Sequence, residues 1–171
     1  MKEQKKILNM TITAMFIAVT YLTTKFVNIT LPLPAAGGLI HLGNVPVYIA
    51  AIVFGKKVGA ASGAFGMALF DLTSGWTIWA PFTFVILLAE GYTVGLIAGK
   101  KRGILNVGVA MLVAMLIKCT GYYFAEVILY HNFIIPLYSI FANMIQVAVA
   151  GSITFVLVPS LWRTASILKI D

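Results

Sequence analysis

Lys118, Tyr122 and Glu126 recur at i, i+4 and i+8, a spacing that sets a cation, a phenol and an acid on one helix face. Asn143 and Gln146, three apart, share a face of a later segment. With Glu90, and with Asp71 ahead of Trp76 and Trp79, they form a set able to hold a polar ring by hydrogen bonds and stacking. Each ionisable group lies in apolar surroundings. There it costs on the order of 3 kcal/mol and so faces a cavity or a partner. Glu90 and Lys118 lie at matching depths, so two readings stand: a structural ion pair, or two contacts to a ligand. Lys25 either joins the polar set or snorkels to the surface. Trp76 and Trp79 are either pocket walls or interfacial anchors.

The elements that must position these groups are membrane spans. The 171-residue chain is 61% hydrophobic and 10% charged, with mean hydropathy +1.00. A soluble domain carries roughly 25% charge. Ten of the twelve Lys and Arg residues occupy four places: Lys2, Lys5 and Lys6; Lys56 and Lys57; Lys100, Lys101 and Arg102; Arg163 and Lys169. Basic residues stay on the cytoplasmic side. Four clusters alternating with three loops that lack them predict an all-α integral membrane protein, one domain over 1–171, with six transmembrane helices and cytoplasmic N- and C-termini. The net charge of +7 is then a topology signal. Nucleic-acid binding is excluded, because no basic face with polar surroundings exists.

The expected spans are Ile7–Ile29, Val45–Phe54, Val58–Ser74, Trp79–Ala98, Ile104–Tyr130 and Ile135–Leu161. The first is read as an uncleaved span, since Thr23, Thr24 and Lys25 stand where a signal-peptide cleavage site would fall. The second is too short to cross alone and must start deep in the membrane. The Pro- and Gly-rich stretch Thr30–Asn44 before it reads either as a lid folded over a cavity or as a loop lying in the headgroups. Small residues dominate the third span, where Gly59-x-x-x-Gly63 allows close helix packing. Ala14-x-x-x-Ala18 is a similar pair on the first.

Polar groups concentrate at mid-depth and in the outer half, which predicts a pocket opening outward. A channel would show polar residues along its whole length. His41 and His131 are isolated, so no metal set or catalytic triad forms, and the single Cys119 reads as packing. No phosphate-binding loop motif is present.

The stretches Gly37–Asn44 (GGLIHLGN), Ala50–Gly55, Gly59–Gly66, Phe70–Gly75 (FDLTSG) and Trp79–Thr83 (WAPFT) resemble the substrate-binding S components of energy-coupling factor (ECF) vitamin transporters. The branch resembled is the riboflavin, pyridoxine and hydroxymethylpyrimidine type, over roughly 10–155. The resemblance implies a six-helix bundle with no enzyme activity and no cofactor of its own. It binds one vitamin under the loop between the first two helices. It works with a transmembrane coupling subunit and two cytoplasmic ATPases, which use the ATP. It further implies that Ala14 and Ala18 dock on the coupling subunit. The expected substrate-binding residues are His41, Asn44, Asp71, Trp79, Glu90, Lys118, Tyr122, Glu126, Asn143 and Gln146. The expected ligand is pyridoxine or hydroxymethylpyrimidine first, riboflavin second. Two positions depart from the family pattern: Asn44, where relatives often carry an acid, and Ala89, where many carry Lys. A self-sufficient transporter or channel is the alternative, and an integral membrane enzyme a third.

Overall fold

The computed structural model describes residues 2–30, 39–99 and 103–167. Six helical segments follow the expected order. Helix α1 (Lys2–Phe26) leads into strand β1 (Asn28–Thr30); strand β2 (Leu39–His41) leads into α2 (Asn44–Ile49), whose last residues continue as a turn of π-helix, Ala50–Phe54. Then come α3 (Lys56–Thr73), a 3₁₀ turn (Thr77–Trp79), α4 (Ala80–Ala98), α5 (Ile104–Tyr130) and α6 (Pro136–Ile167). Among the described residues, four segments could each cross a membrane by length and apolar character: Glu3–Phe26, Thr77–Ala98, Ile104–Tyr130 and Pro136–Thr164.

The all-α architecture holds, with one short strand pair added to it. Strands β1 and β2 pair antiparallel, with Asn28 opposite His41 and Thr30 opposite Leu39. The first span therefore ends at Phe26 rather than Ile29. The Asn28 side chain donates to the last-turn carbonyls of Thr24 (2.9 Å) and Lys25 (2.7 Å). That satisfies acceptors a helix end would otherwise leave open, and the chain then turns into the strand. The sixth helix runs past the expected Leu161 to Ile167, with Pro159 inside it. Residues 31–38 of the expected lid and the basic residues Lys100, Lys101, Arg102 and Lys169 lie outside the described residues.

The short α2 solves its length problem by position. Asn44, Val47, Tyr48, Ala50 and Ala51 are wholly buried, so neighbouring helices, not lipid, enclose it. Gly55, at φ 100°, turns the chain from α2 into α3, a backbone conformation glycine adopts without strain. The outer faces of the helices carry exposed Leu, Ile, Val and Phe, including Leu105, Leu116 and Val156. Such a surface suits lipid, and the chain is a multi-pass membrane protein.

Helices α3 and α4 approach closely because glycines face each other. A methyl at Gly91 would overlap the Gly59 carbonyl, while Gly59 itself is pressed against Ala51. We expect Gly91→Ala to destabilise by about 1–3 kcal/mol through overpacking. Gly108→Ala, which would meet only the Phe155 ring at ordinary contact distance, should gain up to about 1 kcal/mol in helix propensity. Opposite shifts of the melting temperature in detergent check the pair.

Candidate functional site

One cavity lies beneath the β1–β2 hairpin. The space within it, counting its opening to solvent, is about 530 Å³. Its described walls come from every layer around it. Helix α1 supplies Thr24. The hairpin supplies Leu39 and His41, and α3 supplies Met67, Phe70 and Asp71. Trp76 and Trp79 come from the following turn, Thr83 from α4, Lys118, Tyr122 and Glu126 from α5, and Asn143 and Gln146 from α6.

Eight of the ten expected substrate-binding residues therefore line one space: His41, Asp71, Trp79, Lys118, Tyr122, Glu126, Asn143 and Gln146. The 3.6-residue repeat carries Lys118, Tyr122 and Glu126 to the same wall. Lys118 Nζ lies 5.7 Å from the centre of the Tyr122 ring. Tyr122 is held by a 3.2 Å hydrogen bond between its hydroxyl and Thr83 Oγ1 and by a tilted ring contact with Trp79, centroids 6.4 Å apart. Both Trp76 and Trp79 line the cavity, Trp79 buried and Trp76 half-buried. Lys25 stays outside, donating to the Tyr21 hydroxyl at 3.0 Å on the exposed side of α1.

Asn44 and Glu90 sit elsewhere. They are wholly buried and do not line the cavity among the described residues. Behind it they build a network. Lys118 Nζ donates to Asn44 Oδ1 at 2.9 Å. Asn44 Nδ2 donates to Glu90 Oε1 at 3.3 Å and contacts the Tyr48 hydroxyl at 3.0 Å. The Tyr48 hydroxyl donates to Glu90 Oε1. The two charges thus meet through an amide rather than directly, which is a third arrangement beside the two read from the sequence. An acid at position 44 would place two carboxylates side by side there. Asn44 offers an acceptor to the cation and a donor to the acid.

The hairpin is tied down over the cavity. Gln146 Nε2 donates to the Leu39 carbonyl at 2.6 Å. The Gly43 backbone N–H donates to His41 Nδ1 at 3.2 Å, which leaves Nε2 to carry the proton of a neutral ring. Burial, reinforced by the nearby Lys118 charge, pushes the His41 pKa well below its ordinary value. The folded state therefore prefers neutral His41. This contribution is complete above the unfolded pKa of about 6.5 and is lost as pH falls below it. We expect the melting temperature to drop between pH 7 and pH 5 by more in the wild type than in His41→Gln. Parallel curves would show that His41 is not protonated on unfolding.

The polar inventory of the cavity is unbalanced. Glu126 is wholly buried, yet among the described residues neither carboxylate oxygen has a hydrogen-bond partner; the neighbouring Ser139 hydroxyl donates instead to the Pro136 carbonyl at 2.9 Å. Asp71 Oδ2 and Gln146 Oε1 are also buried and without partners among the described residues. Four acceptor oxygens thus stand open beside a lysine that spends one of its three donors on Asn44. Buried polar atoms are normally satisfied, so orphaned acceptors gathered in one cavity describe a place for a donor-bearing guest. Sequence reading missed Thr24, Leu39, Met67, Phe70 and Thr83 as walls and Tyr48 as a network member.

Ala14 and Ala18 are both exposed, in a shallow groove between α1 and α3 shared with Ile17, Tyr21 and Leu69. Packing within the chain leaves these two small residues free on the outer side of α1.

The sequence model of the family described as "ECF-type riboflavin transporter, S component" matches residues 4–163. A protein named thiamine precursor transporter HmpT, from Lactococcus lactis subsp. cremoris (strain MG1363), is 30% identical over 163 residues, covering 95% of this chain and 92% of that one. An uncharacterised Pyrococcus woesei protein is 36% identical over 111 residues, covering 63% of this chain and 71% of its own. Among solved structures, the S component of a bacterial ECF transporter superposes with TM-score 0.72 at 22% identity, covering 96% of this chain and 99% of that one.

Proposed function

The chain belongs to the family of S components of ECF-type riboflavin transporters, and from that premise we propose that it captures a single-ring heteroaromatic vitamin or vitamin precursor in the cavity under the hairpin. As a member of that family it is a transport subunit rather than an enzyme. The observation that carries the ligand class is the set of open acceptors on Asp71, Glu126 and Gln146 beside the Lys118 donor, walled by Trp76, Trp79 and Tyr122. A small ring bearing amino or hydroxymethyl groups supplies donors to the acceptors, takes a hydrogen bond from Lys118 and stacks on the aromatics. Hydroxymethylpyrimidine or pyridoxine meets this description; the name of the Lactococcus relative favours the first. Riboflavin, named in the family description, is the second reading.

Delivery inward requires the coupling subunit and two ATPases, with Ala14 and Ala18 as the docking pair. Orientation follows from charge. Thr24, in the cavity wall, lies 18 residues along α1 from Lys6, about 27 Å of helix. That is close to the hydrocarbon thickness of a bilayer. The cavity then opens on the side opposite the lysines, the outer side by the positive-inside rule.

The test is thermal stabilisation of the detergent-purified chain against pyridoxine, hydroxymethylpyrimidine, thiamine and riboflavin. A ligand at a hundredfold excess over Kd adds about 2.7 kcal/mol. We expect one single-ring compound to do so. Stabilisation by riboflavin alone would move the assignment to the second reading, and a flat panel would remove the ligand class.

A further inference from the structure

At the far end of α1 from the cavity, a shallow groove open to solvent runs between that helix and the turn joining α2 to α3. Lys5 and Lys6 from α1 and Lys56 and Lys57 at the start of α3 line it, and Met10, Ile17 and Phe54, with Asn9 and Thr13 among them, line a mostly apolar slot beside these lysines. Lys5, Lys6 and Lys57 are exposed, and the Lys56 ammonium lies 4.7 Å from the centre of the Tyr92 ring of α4. Phe16 packs on Phe54, centroids 5.3 Å apart, and stiffens one wall. The nearest acid in the sequence of α1 is Glu3, and α3 has none in its first turn. Four cations therefore share one short rim.

We propose that this groove is a binding site for an anionic phospholipid. The headgroup phosphate sits among Lys5, Lys6, Lys56 and Lys57, and one acyl chain lies in the slot along Met10 and Ile17. Charge complementarity selects the occupant. Four lysines beside a mostly apolar slot match a molecule with one anionic end and one hydrocarbon end. Basic clusters at a membrane surface attract anionic lipid. Ala14 forms part of the slot wall. On the reading in which Ala14 docks the coupling subunit, lipid must leave the slot before the partner arrives, so the lipid contends with assembly. The lipid site itself does not depend on which vitamin binds.

The experiment is native mass spectrometry of the detergent-purified chain titrated with palmitoyl-oleoyl phosphatidylglycerol or with phosphatidylcholine of the same chains. Phosphatidylglycerol should be held the more tightly, and its advantage should fall about fivefold per lysine neutralised. In Lys5→Gln/Lys6→Gln/Lys56→Gln/Lys57→Gln it should vanish while vitamin-induced stabilisation persists. Ile17→Trp, which fills the slot without touching the rim, should weaken both lipids and keep their ratio. Equal retention of the two lipids by the wild type overturns the proposal. So does a phosphatidylglycerol preference that survives the quadruple substitution, or retention unchanged by Ile17→Trp. Equal lipid retention combined with a quadruple variant that no longer binds the purified coupling subunit assigns the groove to the protein partner and overturns the lipid. Loss of vitamin binding with an intact lipid preference bears on the function proposed above and leaves the lipid site standing.

Discussion

Glu126→Gln is expected to lower ligand affinity about ten- to hundredfold and to leave the ligand-free protein as stable as the wild type or more so. The two signs come from one fact. Glu126 is wholly buried, and among the described residues neither of its carboxylate oxygens has a hydrogen-bond partner. In the empty protein such a group contributes only its desolvation cost, about 1–3 kcal/mol and more if charged. An amide of the same shape carries no charge, so the cost falls. In the complex, a carboxylate receiving ligand donors makes charge-assisted hydrogen bonds of about 1.5–3 kcal/mol. The amide replaces one acceptor by a donor that confronts the ligand's own donors. A purely structural residue would move stability down together with affinity. The opposed signs are the signature of a group kept for its ligand. Isothermal titration gives the affinity, and thermal unfolding without ligand gives the stability. A less stable Glu126→Gln with unchanged affinity would remove Glu126 from the site.

Much of the fold was legible because charge and glycine punctuate an apolar chain. Gly103 and His131 bracket α5, and its expected bounds of Ile104 and Tyr130 match the structure. His131, at φ 51°, supplies the left-handed residue that ends it. The shared face of Lys118, Tyr122 and Glu126 was legible too, since helical spacing alone determines it. The hairpin was not. Strands of three residues, Asn28–Thr30 and Leu39–His41, are too short to show an alternation, and their pairing is set by contacts across the intervening segment. Nor was the sealing of Asn44 and Glu90 behind the cavity wall. Spacing tells which face a residue shares, but not what covers that face. Here Tyr48 does so, a residue of a short proline-bearing segment whose hydroxyl partner lies 42 positions away. The walls Met67 and Phe70 were missed for a related reason. An apolar residue facing a ligand has the same sequence signature as one facing a neighbouring helix.

The network behind the cavity makes Lys118 the residue whose loss should cost most. Its side chain is almost fully buried, and its ammonium answers the Glu90 charge through Asn44. Lys118→Met removes the cation and leaves the carboxylate buried with only Asn44 and Tyr48 to satisfy it. Breaking a buried charge pair from one side typically costs about 3–5 kcal/mol, so the single variant should melt far below the wild type. Glu90→Gln alone should cost a similar amount, because it strands the ammonium. The double variant Lys118→Met/Glu90→Gln removes both charges and should recover most of the stability, since an apolar or neutral replacement of a whole buried pair is often nearly neutral. Binding should not recover with it, because the donor offered to the ligand is gone. Melting curves and titrations on the three variants separate the two roles of one side chain. If the double variant is no more stable than either single one, Lys118 and Glu90 act independently, and Asn44 is not the bridge between them. If the double variant binds the vitamin like the wild type, Lys118 belongs to the scaffold alone.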